Sequence, residues 1–319
     1  MAIATDLHVV TGKGGTGKTT VAAALAMSLS AGGRKVLLCE VEGRQGIAQL
    51  FDVPPLPYEE RPIAVGPDGG DLHALAIDPE SALLEYLQMF YRLGRAGRAL
   101  DRFGIIDFAT TIAPGVRDVL LTGKVYEAAK RRDGDGFVYD AVVMDAPPTG
   151  RITRFLNVNS ELAGLAKVGP IRRQADSIME MMRAPTTKVH LVTVLEEMPV
   201  TETIDGIAEL EREQLPVGHV VVNQVQPGHL AAGTRDALID GSLDPAAVTA
   251  ALESAGLGTT AATSLLDSGL DAVHRDALQV AQRVDLAACG SPVVELPRLP
   301  DGIDLGALYE LAEQLRDLA

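Results

Sequence analysis

One stretch limits the fold of this chain more than any other: Gly12-Lys13-Gly14-Gly15-Thr16-Gly17-Lys18-Thr19-Thr20. It has the spacing G-x-x-x-x-G-K-T. It follows the apolar run Leu7-His8-Val9-Val10 and precedes an Ala-rich stretch, residues 21–30, that Gly32-Gly33 end. A strand, a glycine loop and a helix in that order turn backbone N–H groups inward around phosphate oxygens. They also aim the positive end of the helix dipole at the phosphates. Gly12, Gly14, Gly15, Thr16 and Gly17 are expected to form this cradle. Lys18 is expected to reach the β and γ phosphates, Thr19 to offer a hydroxyl to Mg²⁺, and Thr20 to meet the α-phosphate.

The rest of the chain repeats the strand–helix rhythm. Short apolar runs at residues 36–41, 72–77, 139–144, 189–195, 219–222 and 292–296 read as strands. Helical stretches separate them, which implies right-handed crossovers and an α/β fold with a doubly wound, mostly parallel sheet. Only 4% of residues are aromatic and none is Trp, so Ala, Leu, Val and Gly must fill the core, as suits strands covered on both faces. Residues 53–70 and 226–241 read as loops. Residues 79–130 and 159–183 break the rhythm and read as successive helices, a small helical subdomain within one domain spanning 1–319. Residues 244–286 read as a further helical stretch.

A second signal stands at Asp145, which ends the apolar run Ala141-Val142-Val143-Met144. A carboxylate at the C-terminal end of a buried strand lies on the ligand edge of an open α/β sheet. There it can hold Mg²⁺ through water, since that ion keeps much of its hydration shell. Thr19 and Asp145 are therefore the expected metal ligands.

Lys13 adds a second lysine inside the loop. With it the loop resembles the signature-lysine (deviant) class of dimeric ATPases: the arsenite-pump ATPase, the guided-entry ATPase for tail-anchored proteins, the septum-positioning and plasmid-partition ATPases, and the nitrogenase iron protein. The resemblance implies that Lys13 reaches across a dimer interface to the partner's nucleotide, and that the nucleotide is ATP/ADP. The segment from Asp145 to Arg154 is similar to the pattern D-T-A-P-T-G-H-T-L-R of the arsenite-pump and tail-anchored-targeting branch. Asp145, Pro148, Thr149, Gly150 and Arg154 match it; Ala146, Pro147 and Arg151 depart. Residues 42–47 occupy the place of D-P-A-H-x-L, whose aspartate orients the attacking water. Glu42 stands for that aspartate and Gly43 for the proline. Asn223 resembles the strand-end asparagine that reads adenine, and Pro297 lies in a segment similar to the loop that closes over the base. Ala113-Pro114-Gly115 resembles an element preceding the Asp145 segment, with Arg117-Asp118 where an acidic pair usually follows. The resemblance runs from about residue 7 to 315 and is closest to bacterial members with a single P-loop, described as anion-transporting ATPases.

Other features set limits. The 28 Lys and Arg against 43 Asp and Glu give a net charge of −15, which argues against nucleic acid as a partner. No run is long and apolar enough for a membrane span, no leader is evident, and a cytoplasmic protein is expected. Cys39 and Cys289 cannot form the C-x-x-C zinc site of some relatives, nor a metalloid-binding cluster. The six histidines are dispersed without metal-ligand spacing. Arg92, Arg95, Arg98 and Arg102 form a local basic stretch. Met179, Met181 and Met182 suggest either a groove for apolar client helices or packing within the helical subdomain. The resulting expectation is a Mg²⁺-dependent ATPase cycling between ATP-closed and ADP-open dimers, with itself or a related ATPase, to control a protein client or membrane-protein partner. The alternative is a nucleotide-gated binding module, or one subunit of a heterodimer, with little hydrolysis of its own.

Overall fold

The run Asp6–Gly12 (β1) is buried from its second residue onward and lies inside an eight-stranded sheet. The computed structural model describes residues 5–91, 114–157, 170–226, 228, 230–258, 260 and 262–318. The glycine loop joins β1 to α1 (Lys18–Leu29). Next come β2 (Lys35–Glu40), the short α2 (Gly46–Leu50), β3 (Arg61–Val65) and β4 (Asp71–Ala76). Helices α3 (Pro79–Tyr91) and α4 (Pro114–Lys130) precede a small hairpin, β5 (Arg132–Asp133) and β6 (Gly136–Phe137). Then follow β7 (Ala141–Asp145), α5 (Thr149–Leu156), α6 (Pro170–Met182), β8 (Thr187–Thr193) and α7 (Glu197–Arg212). The described chain finishes with β9 (Val217–Val225), α8 (Ala232–Ile239), α9 (Pro245–Ser254), α10 (Ala262–Ala288), β10 (Val293–Pro297) and α11 (Leu305–Gln314).

The strand order is β10-β9-β8-β1-β7-β2-β4-β3. Every neighbouring pair is parallel except β3 with β4. This is the doubly wound, mostly parallel sheet that the sequence implies. After β1 the chain builds β2, β3 and β4 on one side and later places β8, β9 and β10 on the other. Loops leaving the strand ends therefore diverge around β1, which opens a crevice at the C-terminal edge of the sheet.

One sheet face carries Val10, Leu38, Val143, Val192 and Val221 against α1 and α11. The opposite face carries Val9, Leu37, Val142, Leu191 and Val222 against α4, α5, α6 and α7. Period-two alternation along each strand thus feeds two cores. Helix α1 is Ala-rich and almost wholly buried, so small side chains let it lie close on the sheet.

The structure corrects two expectations and decides a third that was open. Residues 61–65 form an edge strand rather than loop, antiparallel to β4 and largely exposed, where Pro62 is tolerated. Residues 232–239 form a helix within the other stretch read as loop. Of the two readings of Met179, Met181 and Met182, packing holds: they are buried, at 3%, 6% and 0% exposure, in the core shared with Val142 and Leu210. Arg92, Arg95, Arg98, Arg102, Ala113 and the start of the 159–183 stretch lie outside the described residues.

Candidate nucleotide site

The loop after β1 is shaped by what surrounds it. Gly17 sits at φ 87°, just before α1, and a Cβ there would stand 2.3 Å from Asn223 Nδ2. Only glycine meets both conditions. The Thr16 side chain is buried and its hydroxyl donates to the Lys13 carbonyl at 2.8 Å, which closes the loop on itself. Gly14 and Gly15 are exposed at its tip, and Gly12 ends the strand. Helix α1 has no side-chain cap and no acidic residue in its first turn. Its first N–H groups are therefore left for an external anion. Lys18, the first residue of that helix, is 8% exposed.

The Thr19 hydroxyl donates to Asp145 Oδ2 at 2.7 Å. Asp145 is nearly buried, and burial raises its carboxyl pKa to about 6. The value of about 6 is a balance: burial is the largest cause, the Thr19 hydrogen bond and the Lys18 charge oppose it, and the Glu40 and Glu42 carboxylates add to it. A site with three carboxylates and one buried lysine is short of positive charge. The Thr19 hydroxyl and the Asp145 carboxylate are hard oxygen donors at a strand end, and the donor set fits Mg²⁺, with water and phosphate oxygens completing the shell. Among the described residues no group of three or more His, Cys, Asp and Glu could hold a metal.

Glu42 lies on the loop between β2 and α2, 3.7 Å from Arg44, and its side chain is 20% exposed. Glu40, the last residue of β2 and inside the run 36–41 read as strand, is 2% exposed. It accepts hydrogen bonds from the backbone N–H groups of Gln45 and Ile47 at 2.5 and 3.2 Å. An acid ending the apolar run Val36-Leu37-Leu38-Cys39 is the same signal that marked Asp145. Lys13, by contrast, turns to its own chain: its Nζ is 3.0 Å from Glu202 Oε1 on α7.

Asn223 ends the buried part of β9. Its Nδ2 donates to the Thr16 carbonyl at 2.9 Å, and its Oδ1 accepts from the Gln224 N–H at 2.9 Å. It thus braces the phosphate loop from two strands away. Pro297 closes β10, and Arg298 N–H donates to the Val225 carbonyl. Val225, Leu296 and Pro297 line a cavity of about 660 Å³ between the β9–β10 edge and helices α8 and α10. Ion pairs Arg235–Asp276 (3.1 Å) and Arg283–Glu295 (2.6 Å) lie along it. No helix among the described residues is long and apolar enough to cross a membrane.

A parallel sheet with a glycine loop, an uncapped helix start, a buried lysine and a strand-end aspartate defines a nucleotide-binding protein of the P-loop class. The sequence pattern of the Anion-transporting ATPase family matches residues 5–187, and the chain belongs to that family. It is 53% identical over 318 residues to ATPase BagA of Mycobacterium tuberculosis, covering 97% of this chain and 92% of that protein. It is 26% identical over 326 residues to the Arsenical pump-driving ATPase of Acidiphilium multivorum, covering 94% of this chain and 53% of that protein. It is 28% identical over 250 residues to ATPase get3 of Schizosaccharomyces pombe, covering 68% of this chain and 72% of that protein.

Proposed function

We propose that the protein is a Mg²⁺-dependent ATP hydrolase that works as a nucleotide-sandwich dimer, closed with ATP and open after hydrolysis. The observation that carries this reading is the 2.7 Å contact of Thr19 with Asp145 beside the uncapped start of α1, where Lys18 stands. Mg²⁺ bound there would neutralise charge on the β and γ oxygens. Lys18 draws negative charge from the same phosphates. Glu42 accepts a hydrogen bond from the attacking water and holds its oxygen in line with the γ-phosphorus. That oxygen bonds to phosphorus as the bond to the β–γ bridging oxygen breaks, releasing ADP and phosphate. Lys13 leaves Glu202 and adds charge at the partner's nucleotide. Asn223 carries the base contact through its remaining amide N–H, and Pro297 flanks the base. The opening and closing of the dimer then moves α4 and α6, and with them a client or membrane-protein partner.

The test is steady-state Mg·ATP turnover of the purified chain with Lys18→Ala as background, alongside Glu42→Gln. Turnover well above background that Glu42→Gln removes supports the reading. One observation favours a second reading, a binding module or heterodimer subunit with little turnover: Glu42 is turned toward Arg44. Tight ATP binding without turnover selects it and sinks the first.

A further inference from the structure

Strand β2 ends in a buried acid, Glu40, with no basic partner in hydrogen-bond range among the described residues. Both oxygens of Glu40 go to backbone instead: Oε1 accepts from Gln45 N–H at 2.5 Å and Oε2 from Ile47 N–H at 3.2 Å. A buried carboxylate is tolerated only where such donors replace its water. These two donors bracket the start of α2, and residues 41–44 hang between them and the strand. One side chain therefore pins both ends of the loop that carries Glu42.

The loop's other restraints lead back to the phosphate site. Gln45 exchanges two hydrogen bonds with the backbone of Leu56, at 2.7 and 3.1 Å. A Cβ on Gly46 would lie 3.2 Å from Thr19 Cγ2, so the loop rests on the first turn of α1. Glu42 itself has one charged partner among the described residues, Arg44, whose side chain is 74% exposed. That is a weak hold on a group that must orient water. Gly43, where the similar pattern has proline, sits at φ 67°. A proline ring fixes φ near −65°, so this loop follows a path that proline cannot take and lacks its stiffness.

We propose that Glu40 is the positioning residue of this loop: its carboxylate fixes the backbone of residues 41–47 so that Glu42 faces the γ-phosphate. The inference rests on the reading of Glu42 as the water-orienting group. In this role Glu40 acts through the two backbone N–H groups whose hydrogen bonds it accepts. It is a costly choice electrostatically, because Glu40 is the register partner of Asp145 in the adjacent strand. A like charge beside the metal-binding carboxylate needs a return, and the two backbone contacts supply it.

The experiment uses the full chain with Glu40→Gln, Glu40→Asp, Glu42→Gln and the double variant Glu40→Gln/Glu42→Gln. Glutamine keeps one acceptor but turns an NH₂ group toward a backbone donor; aspartate keeps the charge but cannot span both donors. Displacing the loop by about 1 Å is expected to lower kcat roughly 10- to 100-fold in Glu40→Gln. The KM for ATP and the binding of a fluorescent ATP analogue should stay within about twofold, because the loop at Gly12–Thr20 is untouched. Glu40→Asp should fall between. In single-turnover hydrolysis with enzyme in excess, which resolves residual rates that steady state does not, Glu40→Gln should add nothing in the Glu42→Gln background, since a positioning residue acts through the group it positions. Hydrogen exchange of the 41–47 peptide should quicken. Unchanged kcat with unchanged exchange overturns the proposal, as does an additive loss in the double variant or a KM that rises in step with the loss of kcat. If the wild type shows no turnover above Lys18→Ala, the hydrolase reading fails and exchange decides alone: wild-type protection in Glu40→Gln and Glu40→Asp overturns the anchor.

Discussion

Lys13 Nζ lies 3.0 Å from Glu202 Oε1, so the lysine that distinguishes this glycine loop is held by α7 of its own chain. The two side chains are 30% and 38% exposed. A pair in that setting contributes about 0–1 kcal/mol to stability. Its consequence is geometric: while the pair stands, Lys13 is not available to a second molecule. Glu202→Gln is expected to leave the melting temperature within about 3 °C of wild type and to shift ATP-dependent dimerisation to lower protein concentration. Sedimentation velocity with and without Mg·ATP measures this. Weaker dimerisation in Glu202→Gln would count against a holding role for Glu202.

Gly17→Ala tests the brace between the loop and β9. The new methyl would be placed 2.3 Å from Asn223 Nδ2 at a backbone angle of φ 87°. A non-glycine residue held there is strained by about 1–3 kcal/mol, and the bond from Asn223 to the Thr16 carbonyl must break or bend. Nucleotide affinity should fall about 10- to 100-fold, a loss of about 1.4–2.8 kcal/mol, with a melting temperature lower by several degrees. Calorimetric titration with ATP analogues reads the first. Wild-type affinity in Gly17→Ala would show that the loop does not depend on this contact.

The loop and Asp145 were legible because their requirements are local. Glycines at fixed spacing, a preceding apolar run and a following helix can all be read within twenty or so residues, and so can an acid at the end of a buried strand. Glu40 carried the same signal, but it lies inside the run 36–41 read as strand, and the resemblance to D-P-A-H-x-L pointed to Glu42 instead. Strand β3 was hidden by its position. An edge strand with exposed Arg61, Pro62 and Val65 has neither an apolar run nor clean alternation. The partners Asn223–Thr16, Lys13–Glu202 and His8–His190 depend on which strands and helices become neighbours, and no local pattern states that.

Asp145→Asn separates stability from function. Burial raises the Asp145 carboxyl from 3.8 to about 6 in the folded protein without metal. A carboxyl whose folded pKa lies above its unfolded value destabilises the fold at pH above the folded pKa. The penalty fades as pH falls from about 6 toward the unfolded value. At about 1.4 kcal/mol per pKa unit, two units set a ceiling of roughly 3 kcal/mol. Asparagine can still accept the Thr19 hydrogen bond and carries no charge. Asp145→Asn should therefore melt higher than wild type at pH 7.5 without nucleotide, keep only about half of that advantage at pH 5 and lose it toward the unfolded value, and show no Mg²⁺-dependent turnover. A lower melting temperature at pH 7.5 would contradict the burial argument.

Far from the loop, three histidines from β1, β8 and β9 meet on the face covered by α1 and α11. His219 N–H donates to His190 Nδ1 at 3.1 Å. The neutral His190 ring therefore carries its proton on Nε2, which lies 3.0 Å from His8 Nδ1 and donates to it. Burial holds His8 down to about 3, with Lys188 and Arg34 adding to the effect. Burial likewise keeps His190 well below its ordinary value, with His8 and His219 contributing. A histidine whose folded pKa is lowered leaves stability intact above the unfolded value of about 6.5. Below it the unfolded chain takes up protons that the folded chain refuses, and stability is lost. His8 and His190 together should remove about 3 kcal/mol between neutral pH and pH 5.5, near 1.4 kcal/mol each, offset in smaller part by the relief at Asp145. Urea unfolding at pH 7.5, 6.5 and 5.5 measures the slope. In His8→Gln the amide oxygen can accept from His190 Nε2 and one titrating group is gone, so the loss on acidification should fall by about 1.4 kcal/mol. An acid limb as steep as that of the wild type would mean that the folded chain already protonates His8, and that the three rings do not stay neutral below pH 6.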